Sequence, residues 1–207
     1  MKLLVVGATG SLGQAVIAEA IDRDHDVSAL VRDLASSNLP PAVRKLHGDV
    51  LDPATLESAV AGQDAVICAL GTPSPRKASS LLEKGTSNLV DAMTRSDVQR
   101  LVCVTLLGVA GSEHNASPFY RHVILRALAP MVPDKENQER IVRESALQWV
   151  IVRPPRFVNG DRHAQPRVIR SGEKEQVGRV GRQQLAGVLI DACERPDYVD
   201  QAIVVGS

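Results

Sequence analysis

The sequence predicts an α/β fold, a doubly wound parallel sheet with helices on both faces and a small C-terminal capping region. Short apolar runs alternate with segments of helical periodicity, and a glycine-rich turn joins the first run to the first helix. Parallel neighbouring strands need long crossover connections, usually helices. Right-handed crossovers place those helices on both faces of the sheet.

Most of the predicted strands lie in the first half of the chain, at Lys2–Val6, Asp26–Arg32, Val43–His47, Asp64–Leu70 and Arg100–Thr105. Helices are expected between them at Leu12–Asp22, Pro53–Ala61 and Lys77–Arg95, where apolar residues recur near a 3.6-residue period. Asp52 followed by Pro53 is typical of a helix start, because the carboxylate can accept first-turn N–H groups.

The second half alternates in the same way, with a polar-faced helix at Asp134–Ser145, a strand at Leu147–Val152, a helix at Gln183–Arg195 and a strand at Gln201–Val205. Pro154 and Pro155 end the strand before them. We expect one domain over residues 1–207, in which residues 154–181 form an irregular segment that caps the substrate side. Arg179 and Arg182 near its end could hold an anionic substrate, but a solvated loop is the favoured interpretation.

Composition excludes several classes of protein. The 207 residues carry 24 basic and 24 acidic side chains, so no global basic field favours nucleic acid or an anionic membrane. No apolar run reaches the roughly 18 residues of a membrane span, and the N-terminus lacks a secretory h-region. Scattered Cys68, Cys103 and Cys193 predict reduced, buried thiols and no metal site. We therefore expect a cytoplasmic protein with a small-molecule partner, either monomer or homodimer.

A glycine turn follows the first predicted strand. Gly7, Gly10 and Gly13 form the pattern GxxGxxG. The first glycine permits a tight turn, the second lets the backbone approach a pyrophosphate, and the third allows close packing of helix on strand. The helix N-terminus then offers N–H groups and a positive dipole end to phosphate. This context predicts a Rossmann-like, NAD(P)-binding domain.

The end of the second strand bears on which dinucleotide binds. Arg32 can present a planar cation to a 2′-phosphate, which favours NADP (NADPH). Asp33 supports the other interpretation, because an acid at the strand end binds the ribose hydroxyls of NAD. The strand alternation does not fix the register, so both interpretations stay open here.

These motifs, with Gly48-Asp49-Val50, Leu70-Gly71-Thr72 and Arg153-Pro154-Pro155, resemble the atypical short-chain dehydrogenase/reductase superfamily. The chain is most similar to the biliverdin-IXβ reductase/flavin reductase branch, with NmrA-like regulators as neighbours. The resemblance implies that Thr9 to Leu12 cradle the pyrophosphate and that Arg32 holds the 2′-phosphate. The full implied cofactor set is Gly7, Thr9, Gly10, Ser11, Leu12, Arg32, Asp49, Val50, Leu70, Gly71, Thr72, Pro154, Pro155 and Phe157.

The chain departs from the superfamily in its chemical residues. Lys135 and Glu139 resemble the lysine and later glutamate of the usual YxxxK helix, but Met131 stands at the tyrosine position. Thr105 and Arg156 are the residues expected nearest the reaction, Thr105 as a hydrogen-bond donor and Arg156 as a cation for an acidic group. Ser36 and Ser37 stand where the branch often has a second arginine.

A missing tyrosine argues against ketone reduction, which needs a proton donor at the forming alkoxide. A flavin or quinone can take its proton from water. The sequence therefore predicts an oxidoreductase that transfers hydride from NADPH to a flavin-, quinone- or tetrapyrrole-like acceptor. The alternative is a non-catalytic NADP(H)-sensing regulator that uses the same fold.

Overall fold

The computed structural model describes residues 1–35, 37–72, 77–158 and 165–207. Its strands, in chain order, are β1 (Lys2–Val6), β2 (Asp26–Val31), β3 (Arg44–His47), β4 (Ala65–Cys68), β5 (Arg100–Val104), β6 (Gln148–Arg153), β7 (Arg156–Val158), β8 (Arg167–Ile169), β9 (Arg179–Gly181) and β10 (Gln201–Gly206). Its helices are α1 (Ser11–Asp22), α2 (Pro53–Val60), α3 (Leu81–Arg95), α4 (Leu125–Ala127), α5 (Val132–Glu144) and α6 (Arg182–Glu194). A π turn precedes α4 at Tyr120–Ile124.

The main sheet has eight strands in the order β3-β2-β1-β4-β5-β6-β10-β8. Every neighbouring pair is parallel except β10 with β8, and β7 pairs with β9 in a separate small sheet. The chain runs outward from β1 to β3 and then returns to β4 on the other side of β1. The predicted doubly wound fold is confirmed, and its switch point lies between β1 and β4, where such sheets bind ligands.

Two apolar layers cover the sheet. The first packs α1 and α6 against one face, through residues such as Val5, Ile17 and Leu189. The second packs α2, α3 and α5 against the other face, through residues such as Leu4 and Leu89. Strands buried on both faces lose the polar–apolar alternation, which is why their register could not be inferred from the sequence.

Two predicted segments differ from the structure. The helix expected from Lys77 begins instead at Leu81, after a turn in which the Ser79 hydroxyl accepts the Leu81 N–H. Residues 154–181 were expected to be irregular, but the described part contains β7, β8 and β9, and β8 extends the main sheet. Residues 159–164 of this segment lie outside the described residues.

None of the helices in the described residues has both the length and the apolar character that crossing a membrane requires.

Candidate active site

The glycine turn fits tightly between β1, β4 and α1. Gly7 has a φ of +85°, and a Cβ built on it would lie 2.5 Å from the Ala69 carbonyl oxygen, just after β4. A Cβ on Gly13 would lie 2.3 Å from the Gly7 carbonyl oxygen. Neither position has room for a side chain. The turn therefore brings the start of α1 against the switch point of the sheet.

Gly10 is different, because space opens in front of it. It caps α1 in an extended conformation (φ −72°, ψ 158°) without a side-chain hydrogen bond to the helix, and a Cβ there would meet only the Gly7 carbonyl oxygen, at 3.3 Å. The N–H groups of Ser11, Leu12 and Gly13 have no partner within the helix, as in any first turn. Thr9, Gly10 and Ser11 are exposed. This turn forms a backbone cradle that fits a diphosphate.

At the end of β2 the two candidate ribose-binding residues, Arg32 and Asp33, have different surroundings. The strand ends at Val31, so Arg32 is the first residue beyond it, and it is exposed. Asp33 turns back on its own loop, where its carboxylate accepts the Ala35 N–H at 2.8 Å. Among the described residues, no hydrogen bond or ion pair engages the Arg32 guanidinium. Ser36, at the position of the branch's second arginine, lies outside the described residues.

The loops after β3 and β4 meet at the same edge of the sheet. Val50 is buried, and its carbonyl accepts a hydrogen bond from the Asn88 amide at 2.9 Å. The Asp49 carboxylate accepts the Leu51 N–H, which shapes the turn. Leu70 and Thr72 are half-buried, and Gly71 faces open space. These predicted cofactor residues thus lie at the same edge of the sheet as the glycine turn, and Leu70 directly adjoins Gly7.

The end of β5 is closed by buried polar groups. Thr105 is 5% exposed, and its hydroxyl donates to Glu139 Oε1 at 2.7 Å. Glu139 also accepts two hydrogen bonds from Arg153, at 2.9 and 2.6 Å. Arg153 donates in turn to the Ala110 carbonyl, at 3.0 Å. The Thr105 hydroxyl, predicted as a donor to substrate, already has an acceptor inside the protein.

Lys135 belongs to the same buried layer. Its Nζ donates to the Val104 carbonyl at 3.0 Å and to Gln138 Oε1 at 2.9 Å, and burial lowers its pKa. The Gln138 amide donates to the Thr86 hydroxyl at 2.9 Å. Helix α5 was predicted to be polar-faced, and Glu136, Arg140 and Glu144 are indeed exposed, but the helix also has a second polar stripe that is buried. This second stripe, formed by Asp134, Lys135, Gln138 and Glu139, faces the interior.

Asp134, in the first turn of α5, caps a helix other than its own. Its carboxylate accepts the N–H groups of Leu82 and Glu83 at 3.2 and 2.8 Å. These are first-turn groups of α3, so α5 supplies the acidic cap of α3. The helical spacing of the polar stripe was visible in the sequence, but its partners on α3, β5 and β6 were not.

No tyrosine stands beside Lys135 in the described structure. Met131 lies in the turn before α5, at the position where the family motif has tyrosine. Tyr120 is 2% exposed in an apolar cluster with Leu107 and Ala116, and burial raises its pKa. The arrangement therefore lacks the usual Tyr–Lys proton-transfer pair.

The segment after β6 contains both buried and exposed residues. Pro154 and Pro155 are buried, and the Pro154 carbonyl accepts the Leu107 N–H at 3.1 Å. Arg156 is exposed on β7. Phe157 is half-buried against the α1 and α6 layer. Arg156 is thus available to a ligand, whereas Phe157 packs toward the glycine turn.

Among the described residues, no three His, Cys, Asp or Glu side chains come together at a spacing that could hold a metal ion.

Comparison with known proteins identifies the family of the chain. A family profile described as NAD(P)H-binding matches residues 7–196. The photosystem II assembly factor Ycf39 of Guillardia theta is 30% identical over 77% of the chain and 48% of its own length. A 3-diazoavenalumate denitrifying reductase of Streptomyces is 30% identical over 74% of the chain and 55% of its own length. The chain thus spans about half the length of these curated relatives.

Solved structures share the fold. A short-chain dehydrogenase/reductase from Veillonella parvula, crystallised with NADP, superposes with a TM-score of 0.84 at 19% identity, over 100% of this chain and 94% of that one. The anaerobilin reductase ChuY of Escherichia coli O157:H7 superposes with a TM-score of 0.80 at 21% identity, over 100% and 97%. The expected fold extends over the whole chain in both comparisons.

Proposed function

Because the chain belongs to the NAD(P)H-binding family, we propose that it is an NADPH-dependent reductase acting on a flavin-, quinone- or tetrapyrrole-like acceptor. When bound, NADPH would supply the hydride. The protein's residues would hold the dinucleotide, orient the acceptor and limit which acceptors can react. The choice of phosphorylated cofactor and the choice of acceptor rest on separate observations.

The choice of NADPH over NADH rests on the end of β2. Arg32 is exposed directly after the strand, and Asp33 is engaged by the Ala35 N–H. A guanidinium there can bind a 2′-phosphate through charge-assisted hydrogen bonds. An aspartate at the strand end would instead repel that phosphate. This arrangement supports NADPH as the cofactor.

One observation supports the proposed class of acceptor. Lys135 and Thr105, which stand at positions of the family's proton-transfer residues, already hydrogen-bond to other groups of the protein. Lys135 Nζ is held by Val104 and Gln138, and the Thr105 hydroxyl by Glu139. A carbonyl acceptor would need one of these protons at the forming alkoxide. A flavin, quinone or tetrapyrrole delocalises the added charge and can be protonated by water.

Each site residue then has a proposed role. The Ser11, Leu12 and Gly13 amides would bind the diphosphate, with Gly7, Thr9 and Gly10 shaping the turn. Asp49 and Val50 would flank the adenine, Leu70, Gly71 and Thr72 would line the middle of the cofactor, and Pro154 and Pro155 would form a wall beside the nicotinamide. Arg156 would bind an acidic group of the acceptor. Thr105 is proposed as a positioning residue, since its hydroxyl is bound to Glu139.

An acceptor panel tests the proposal. NADPH oxidation is followed by its absorbance with FMN, a benzoquinone, a linear tetrapyrrole, an aliphatic ketone and no acceptor. We expect turnover with at least one of the first three and none with the ketone. Turnover with the ketone alone would contradict the acceptor class. Tight NADPH binding without turnover on any acceptor would instead support the sensing regulator.

A further inference from the structure

Arg182, the first residue of α6, lies beside the glycine turn. Helices α1 and α6 pack side by side, and both begin at the edge of the sheet where the parallel strands end. Arg182 Nε donates to the Ser11 hydroxyl at 3.0 Å. The guanidinium carbon also lies 5.0 Å from the centre of the Phe157 ring. These two contacts hold the cation next to the first turn of α1.

The guanidinium has no anionic partner in the described part of the protein. Arg23, at the opposite end of the same helix pair, shows the usual arrangement. It is also half-buried, and it pairs with Glu19 at 2.9 Å and Asp191 at 2.6 Å. Arg182 has a hydroxyl and an aromatic face but no carboxylate within ion-pair distance among the described residues. A half-buried cation in this state gains most from an anion that enters the site.

We propose that Arg182 binds the diphosphate of the dinucleotide, together with the first-turn amides of α1. The Ser11 N–H is one of the first-turn amides, and the Ser11 hydroxyl accepts the hydrogen bond from Arg182. An anion bound to the amides would therefore lie within reach of the guanidinium. The Phe157 ring keeps the planar cation in place by stacking. This inference rests on the dinucleotide site of the proposed function, but not on the acceptor.

The proposal separates the duties of two arginines. Arg32 faces the position of the 2′-phosphate, which only NADP carries. Arg182 faces the diphosphate, which NAD and NADP share. Loss of Arg182 should therefore weaken both dinucleotides by the same factor, and loss of Arg32 should weaken NADP alone. Adenosine 2′-phosphate, which has no diphosphate, should be insensitive to Arg182.

The test measures dissociation constants by calorimetry for NADP⁺ and NAD⁺, and by displacement of NADPH fluorescence for adenosine 2′-phosphate. The variants are Arg182→Gln, Arg182→Lys and the control Arg95→Gln, which makes the same charge change at an exposed ion pair with Glu57. For Arg182→Gln we expect about 10- to 30-fold weaker binding of both dinucleotides, as for loss of a charged hydrogen bond. Adenosine 2′-phosphate should change less than about twofold.

Arg182→Lys keeps the charge and the alkyl packing but loses the planar fork, so an intermediate loss is expected for both dinucleotides. If Arg182→Gln does not fold, the dissociation constants of Arg182→Lys test the proposal instead. Binding of both dinucleotides at wild-type strength in the variants would overturn the proposal, as would a loss confined to NADP⁺. Failure of the wild-type protein to bind either dinucleotide would instead overturn the proposed function.

Discussion

The two sides of the site are built in opposite ways. On the side of β1 and α1, the proposed diphosphate site consists of backbone amides at an exposed turn, with glycine at positions 7, 10 and 13. On the side of β5 and β6, polar side chains are plentiful, but Thr105, Glu139 and Arg153 satisfy one another. The first side leaves the first-turn amides of α1 without partners in the helix, whereas the polar groups of the second side hydrogen-bond to one another within the fold. Polar residues near a site therefore do not by themselves identify its chemistry.

The largest expected effect is a loss of stability when the buried ion pair between Glu139 and Arg153 is broken. Glu139→Gln leaves Arg153 buried without its counter-charge, and Arg143 lies 3.8 Å from the same carboxylate. Removing one partner of a buried pair costs about 3–5 kcal/mol of unfolding free energy. Urea denaturation measures this loss. The control Glu144→Gln breaks an exposed pair with Arg140 and should cost about 0.5 kcal/mol or less. Equal losses in the two variants would contradict a structural role for the buried pair.

A substitution at the glycine turn should instead weaken cofactor binding more than stability. Gly10→Val places a branched side chain in the space in front of the α1 amides, while its backbone angles suit any residue. We expect NADPH binding to weaken by about 3 kcal/mol or more, as for two lost charge-assisted hydrogen bonds. Calorimetry measures the affinity, and a cooperative melting transition shows that the variant is folded. Undiminished binding would show that these amides do not hold the diphosphate.

A substitution of Arg32 should have a smaller effect, limited to the affinity for NADPH. Arg32→Glu replaces the cation at the end of β2 by an anion. We expect NADPH binding to weaken by about 2 kcal/mol, from the lost phosphate contact and the added repulsion. NADH, titrated in parallel, should bind as before or more tightly. If both cofactors lose affinity equally, Arg32 does not distinguish them.

The smallest effect should come from the residue that looks most catalytic in the sequence. Lys135→Met removes the buried ammonium but keeps a flexible apolar chain between Val104 and Gln138. We expect kcat with a flavin or quinone acceptor to change by less than about threefold, under 1 kcal/mol. A hundredfold loss of kcat at unchanged stability would instead assign Lys135 to proton transfer.

The comparison also explains what the sequence could predict. The glycine turn was predictable because its requirements lie within a few residues of one another. Asp52 was likewise recognisable as the cap of α2, where it accepts the Ala54 N–H. The buried stripe of α5 was not, because its partners on α3, β5 and β6 become neighbours only in the folded chain. Arg182 and Ser11 stand 171 positions apart, so nothing local marked that contact.

The cap that Asp134 places on α3 links the two sides during synthesis. When β5 has been synthesised, the chain already contains the whole glycine turn and Arg32. The first turn of α3, however, still awaits a carboxylate 52 positions beyond Leu82. A fragment that stops after β5 therefore lacks the group that fixes the helix next to Leu70 and Gly71. The first half of the chain should therefore not work as an excised minimal binder, because the carboxylate that caps α3 comes from the second half.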